Sequence, residues 1–90
     1  MSGRLLQIFL RRASERSRLG VSIPRRVGGA VARNRVRRRL RELFRRHREL
    51  FGERTVWVVI NARPPSATAS FEQLAAEYRD GIRRGLTRLK

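Results

Sequence analysis

Residues 33–41 read Arg-Asn-Arg-Val-Arg-Arg-Arg-Leu-Arg, with six arginines, one asparagine and no acid. Arg33, Asn34, Arg35, Arg37, Arg38 and Arg41 are all hydrogen-bond donors to phosphate oxygens, and each guanidinium fork can grip a phosphate with two parallel bonds. Solvated charged faces normally mix signs. An unbroken cationic run is therefore read as a polyanion-binding surface, to which a helix starting near Gly29 and Ala30 would add free backbone N–H donors. The whole chain leans the same way. Its 90 residues carry 23 Lys or Arg against 7 Asp or Glu, a formal charge of +16, and all the basic residues except Lys90 are arginine. Self-repulsion on that scale disfavours the compact state, and a polyanionic partner relieves it.

Other chemistry is poorly provided for. The chain has no cysteine and a single histidine, His47. Disulfides, cysteine-containing zinc sites and thiol nucleophiles are excluded, and the composition is compatible with a reducing compartment such as the cytoplasm. Glu42 and Glu49 stand among arginines and are expected to pair locally with Arg38, Arg45 or Arg46. Glu72, Glu77 and Asp80 read as a helix surface. No close pair of acids has a metal-ligand rationale, which argues against an autonomous metal-dependent nuclease. The longest apolar run, residues 56–60, is far short of the roughly 20 residues that cross a bilayer. The Arg-rich, Ser-bearing segment 1–18 resembles a transit peptide in composition, but its periodicity points elsewhere.

The elements that must position the arginines follow from that periodicity. In residues 4–11, Leu6, Ile8 and Leu10 alternate with Leu5, Gln7 and Phe9, and in residues 18–24, Leu19, Val21 and Ile23 alternate with Gly20 and Ser22 until Pro24. Both read as strands, and their adjacency suggests a hairpin. From Ala30 the period becomes helical: Val36, Leu40, Leu43, Phe44, His47, Leu50 and Phe51 form one stripe over residues 30–51, with Gly52 as the stop. Arg37, Arg38, Arg41, Arg45 and Arg48 fall on the other face, with Asn34 in the same sector. Residues 55–61 are β-branched with Trp57 and apolar on both faces, as for a central strand covered on two sides. Ser70 and Gln73 signal a capping box opening a helix over 70–88, whose Gly81 and Gly85 weaken its second half. Trp57 and Tyr78 are read as core residues and His47 as partly buried. Phe9 has two open readings, packing or stacking on an unpaired base. The order strand, strand, helix, strand, helix describes one small α+β domain spanning residues 1–90, whose sheet packs against helices and can leave its other face open.

At Val27-Gly28, Ala30-Val31, Arg33-Asn34-Arg35-Val36-Arg37-Arg38, Leu40-Arg41 and Phe44 the sequence resembles the bacterial ribonuclease P protein subunit. Residues 19–26 resemble that family's strand entering the motif, and residues 58–65 its last strand and exit loop. The resemblance implies a protein without a nuclease site of its own. It would bind the catalytic ribonuclease P RNA and assist removal of the 5′ leader from precursor tRNA, with Mg2+ held mainly by the RNA. Carried over by position, Arg33, Asn34, Arg35, Arg37, Arg38 and Arg41 would contact RNA. Phe9, Arg25, Arg26 and Arg63 would be leader or further RNA contacts. Members of the family usually begin with a basic segment and a first helix whose aromatics wall the leader cleft, and this sequence begins too late to include them, so RNA binding is the firmer expectation. Gly29 stands where the family commonly has asparagine, a better cap by a few tenths of a kcal/mol. No membrane and no obligate protein partner is implied. The alternative is a ribosomal or other structural RNA-binding protein. A cationic membrane-active protein is a third class, which the strands argue against.

Overall fold

A computed structural model describes residues 3–89. Three strands, β1 (Leu6–Arg12), β2 (Arg18–Ser22) and β3 (Val56–Ala62), form one sheet, with helices α1 (Ala30–Arg46) and α2 (Phe71–Arg88). Short 3-10 turns at Arg25–Val27, Arg48–Phe51 and Pro64–Ala67 complete the described secondary structure.

The sheet order is β1-β3-β2, with β3 antiparallel to β1 and parallel to β2. The expected hairpin is therefore absent: β1 and β2 are the two edges, and the most β-branched segment lies between them. The link between the edges crosses the start of β3. Ala13 N–H donates to Thr55 O at 3.0 Å, Thr55 Oγ1 to Ala13 O at 2.6 Å, and Val56 N–H to Ser17 Oγ at 3.0 Å. The parallel β2–β3 pair requires a crossover, and α1 supplies it.

Alternation sorts the sheet into two faces. Leu6 and Ile8 of β1 and Val56, Val58, Ile60 and Ala62 of β3 are buried, joined by the partly buried Leu19 and Val21 of β2. Against them α1 packs Val36, Leu40, Leu43 and Phe44, and α2 packs Leu74, Ala75, Tyr78 and Ile82. The opposite face carries Phe9 and Trp57, 45% and 46% exposed. The reading of β3 as covered on two sides, with Trp57 in the core, is thus corrected, because both helices lie on one side. Tyr78 is fully buried, and its hydroxyl has no hydrogen-bond partner among the described residues.

The first helix ends earlier than its apolar stripe suggests. His47 leaves the helix at φ −115° and ψ 34°, and the chain tightens into the 3-10 turn Arg48–Phe51 before Gly52 turns at φ 61°. That turn still delivers Phe51 to the core, 5.9 Å from the Phe44 ring centroid. Ser70 and Gln73 form the expected capping box at the start of α2. Gly81 and Gly85 have a packing reason: a Cβ at Gly81 would stand 2.6 Å from Ile8 Cδ1, and one at Gly85 2.7 Å from Leu10 Cδ1. These glycines let β1 lie close to α2. Glu77 joins the same two elements, accepting the Leu5 and Leu6 N–H groups at 2.9 Å each, so it is a structural tie and not only surface.

Candidate nucleic-acid interface

The buried stripe of α1 fixes where its arginines point, since successive side chains turn by about 100°. Val36, Leu40, Leu43 and Phe44 face the sheet. Directly opposite lie Asn34, Arg38 and Arg45, all exposed. Arg33, Arg37 and Arg41 fill the flank toward β2, where Arg37 and Arg41 share a shallow recess with Leu19, Val21 and Phe44. Arg35, Arg39 and Arg46 fill the other flank. The helix thus offers a continuous cationic arc from the β2 side across its outer surface.

The two flanks differ in what holds them. Arg35 Nη2 donates to Ala67 O at 3.1 Å and Arg39 Nη1 to Ala69 O at 3.0 Å. These bonds tie α1 to the connection between β3 and α2. Arg35 therefore commits one of its donors to the fold, and Arg39, which the motif leaves unassigned, is a structural clamp. Arg37, Arg38 and Arg41 make no hydrogen bond or ion pair among the described residues. Arg33 is half-buried, and its Nε is enclosed without a hydrogen-bond partner. Glu42 interrupts the arc at its C-terminal end: it pairs with Arg45 and, at 2.6 Å, with Arg46. Hydrogen bonds from Arg45 and then Arg46 hold its carboxyl below the ordinary carboxylate value. Glu49 lies 3.4 Å from His47 Nδ1 and not against an arginine.

The start of the helix is open. Gly29 occupies the cap position without a side-chain hydrogen bond, no acid lies in the first turn, and Val31 is 80% exposed. Arg25 and Arg26 are exposed on the 3-10 turn before it, and the turn after Arg63 packs against both that turn and α1. Arg25, Arg26 and Arg63 thus belong to elements gathered around the first half of α1. Phe9 stands apart from this corner, on the uncovered sheet face.

That face also holds what the sequence reading missed. Cross-strand register sets Trp57 between Arg11 of β1 and Arg18 of β2. A usable signal was present in the alternation of β3, where Trp57 shares its parity with the polar Asn61. Asn61 Nδ2 donates to Gln7 Oε1 at 3.3 Å on the same face.

Glu42, Glu77 and Asp80 are engaged by Arg45 and Arg46, by backbone N–H groups and by Arg84. Among the described residues no three of His, Asp and Glu gather in one place. Among the described residues no helix is long and apolar enough to cross a membrane.

Comparison with known proteins places this arrangement. The family model described as Ribonuclease P matches residues 1–85. The chain is 43% identical over 67 residues to the ribonuclease P protein component of Desulfotalea psychrophila, covering 74% of this chain and 55% of that protein. It is 45% identical over 74 residues to that of Corynebacterium jeikeium, covering 79% and 57%. The chain therefore spans little more than half the length of these relatives. Among solved structures, the RNase P protein of Staphylococcus aureus superposes with a TM-score of 0.82 at 22% identity, covering 93% of this chain and 77% of that one. The Thermotoga maritima protein gives 0.81 at 20% identity, covering 93% and 80%. These two likenesses establish the three-stranded α+β fold, and the family match, with its relatives above 40% identity, establishes descent: the chain belongs to the ribonuclease P protein family.

Proposed function

We propose that this chain acts as the protein subunit of ribonuclease P, binding the catalytic RNA through the outer arc of α1 and assisting removal of the 5′ leader from precursor tRNA in the cytoplasm. The observation that carries the reading is the acid-free arc of Asn34, Arg37, Arg38 and Arg41, held outward by a buried stripe on a rigid helix. Each guanidinium that meets a phosphate releases condensed counterions, which makes the contact favourable and salt-dependent. Arg25, Arg26 and Arg63 extend the arc at its open end, and Phe9 on the uncovered sheet face is a leader contact.

The mechanism assigned to the protein is electrostatic. A catalytic RNA and a precursor tRNA are both polyanions, and their approach is opposed by phosphate repulsion that divalent cations otherwise screen. A chain of net charge +16 supplies fixed positive charge between them. In this reading the RNA would hold the magnesium, which would supply activation of the attacking water. The chain's own residues bind and position the two RNAs.

The test is reconstitution. The protein alone is expected to cut nothing, and ribonuclease P RNA alone to be slow at low magnesium. Adding the protein should restore removal of the leader from precursor tRNA. Failure to bind or stimulate ribonuclease P RNA, or tighter binding to ribosomal RNA than to that complex, overturns the proposal.

A further inference from the structure

Between Arg54 and Glu72 the chain carries a single charge, Arg63, at the point where β3 ends and the 3-10 turn Pro64–Ala67 begins. Its backbone is held from both sides. Arg63 N–H donates to Leu5 O at 2.9 Å, and Arg63 O accepts two bonds from one residue, Ser66 N–H at 2.9 Å and Ser66 Oγ at 2.7 Å. Leu5 is itself anchored to α2, because its N–H donates to Glu77 Oε1 at 2.9 Å. The far end of the turn is fastened to α1, where Arg35 Nη2 donates to Ala67 O. A residue has only two soft backbone torsions, and the bonds at the N–H and the carbonyl hold those of Arg63 at φ −100° and ψ 158°. The direction in which its side chain leaves the corner is thereby set.

Ser66 is the unusual member of this set. Apart from Tyr78, it is the one residue with a polar side chain that is buried among the described residues, at 0% exposure. Burying a hydroxyl is unfavourable unless it is hydrogen-bonded, and alanine would occupy the place without that cost. The turn does not need the hydroxyl to close. Ser66 N–H already bonds Arg63 O, Thr68 N–H bonds Pro65 O at 3.3 Å, and Pro64 and Pro65 bring their φ angles preset. What the Oγ bond adds is a second hold on the Arg63 carbonyl. A guanidinium whose starting direction is set beforehand loses less freedom when it meets a phosphate, so more of the contact is realised as affinity. We propose that Ser66 is a positioning residue for RNA binding, acting through Arg63 and touching no RNA itself. The inference rests on the reading of the chain as an RNA-binding subunit, with Arg63 among its contacts at the open end of α1.

A double-mutant cycle separates this role from a purely structural one. Binding of ribonuclease P RNA is measured by fluorescence anisotropy for the parent, Ser66→Ala, Arg63→Ala and the double variant, under conditions where denaturant melts show each to be folded. Arg63→Ala should weaken binding by about tenfold and make the slope of log K against log salt shallower by about 0.9. Ser66→Ala, with Arg63 present, should weaken binding by about threefold. In the Arg63→Ala background the same change should cost less than about 1.5-fold, because the side chain it positions is gone. A merely structural Ser66 would weaken binding by the same factor in both backgrounds. Equal factors, full affinity in Ser66→Ala, or unchanged affinity in Arg63→Ala would overturn the positioning role. Failure of the subunit reading looks different: the parent itself would not bind ribonuclease P RNA, and the positioning role would fall with it.

Discussion

Arg38 and Arg39 are neighbours in sequence with opposite structural situations, and replacing each with alanine should separate RNA binding from folding. Arg38 lies at the middle of the outer arc with no partner among the described residues, whereas Arg39 donates to Ala69 O at 3.0 Å. Arg38→Ala should therefore change stability by less than about 0.5 kcal/mol. Its effect on RNA should be electrostatic: one lost phosphate contact removes about 0.9 from the slope of log K against log salt. Across a fourfold rise in salt, from about 50 to 200 mM, that slope corresponds to a factor of about 3.5, so the variant should lose correspondingly less affinity over that range than the parent. Arg39→Ala should do the reverse. It breaks a charge-assisted bond to a partly buried carbonyl, which is worth about 1–2 kcal/mol once solvent access is allowed for, and it should leave the salt slope unchanged. Fluorescence anisotropy with ribonuclease P RNA over that salt range, beside denaturant melts, measures both quantities. An unchanged slope in Arg38→Ala, or a shallower one in Arg39→Ala, would refute the division of α1 into an RNA-facing arc and a clamping flank.

Three further outcomes follow from the packing and the ion pairs. Gly81→Ala improves helix propensity by about 1 kcal/mol but drives a Cβ to 2.6 Å from Ile8 Cδ1; overpacking costs about 1–3 kcal/mol, so a lowered denaturation midpoint is expected, and a raised one would show that β1 yields. Tyr78→Phe removes a buried hydroxyl without a partner among the described residues, and should leave stability unchanged or raise it by up to about 1 kcal/mol; a loss above about 1 kcal/mol would reveal a partner. Glu42 has its carboxyl held below 4.5 by Arg45 and Arg46, so its contribution is in place above that pH and is lost as pH falls through the lowered value. The stability difference between the parent and Glu42→Gln should accordingly shrink on acidification below about pH 4.5, and a difference that grows there would contradict the pairing.

The secondary structure was largely readable because it rests on local periodicity. The stripe Val36, Leu40, Leu43 and Phe44 and the capping box at Ser70 appear in the fold where their spacing puts them. Strand neighbours were not readable in the same way. Alternation tells which residues share a face and says nothing about which strand lies beside which, so two consecutive strands suggested a hairpin although β3 lies between them. Trp57 was misread for a related reason: a β-branched run with an aromatic looks buried on both faces until the position of both helices on one side is known. The cationic arc of α1 was legible because helix geometry is local. The commitment of Arg35 and Arg39 to the carbonyls of Ala67 and Ala69 was not, because those partners come from a connection about thirty residues away in sequence.

The proposed meeting of the outer surface of α1 with ribonuclease P RNA is directly measurable because the sequence has no cysteine. Asn34→Cys and Ala76→Cys each place a single thiol at an exposed position, the first on the outer arc of α1 and the second on the outer face of α2. A photo-crosslinker attached at each site is mixed with ribonuclease P RNA and activated. Efficient crosslinking to the RNA is expected from position 34 and little from position 76. Crosslinking from position 76 with none from position 34 would contradict the proposed meeting.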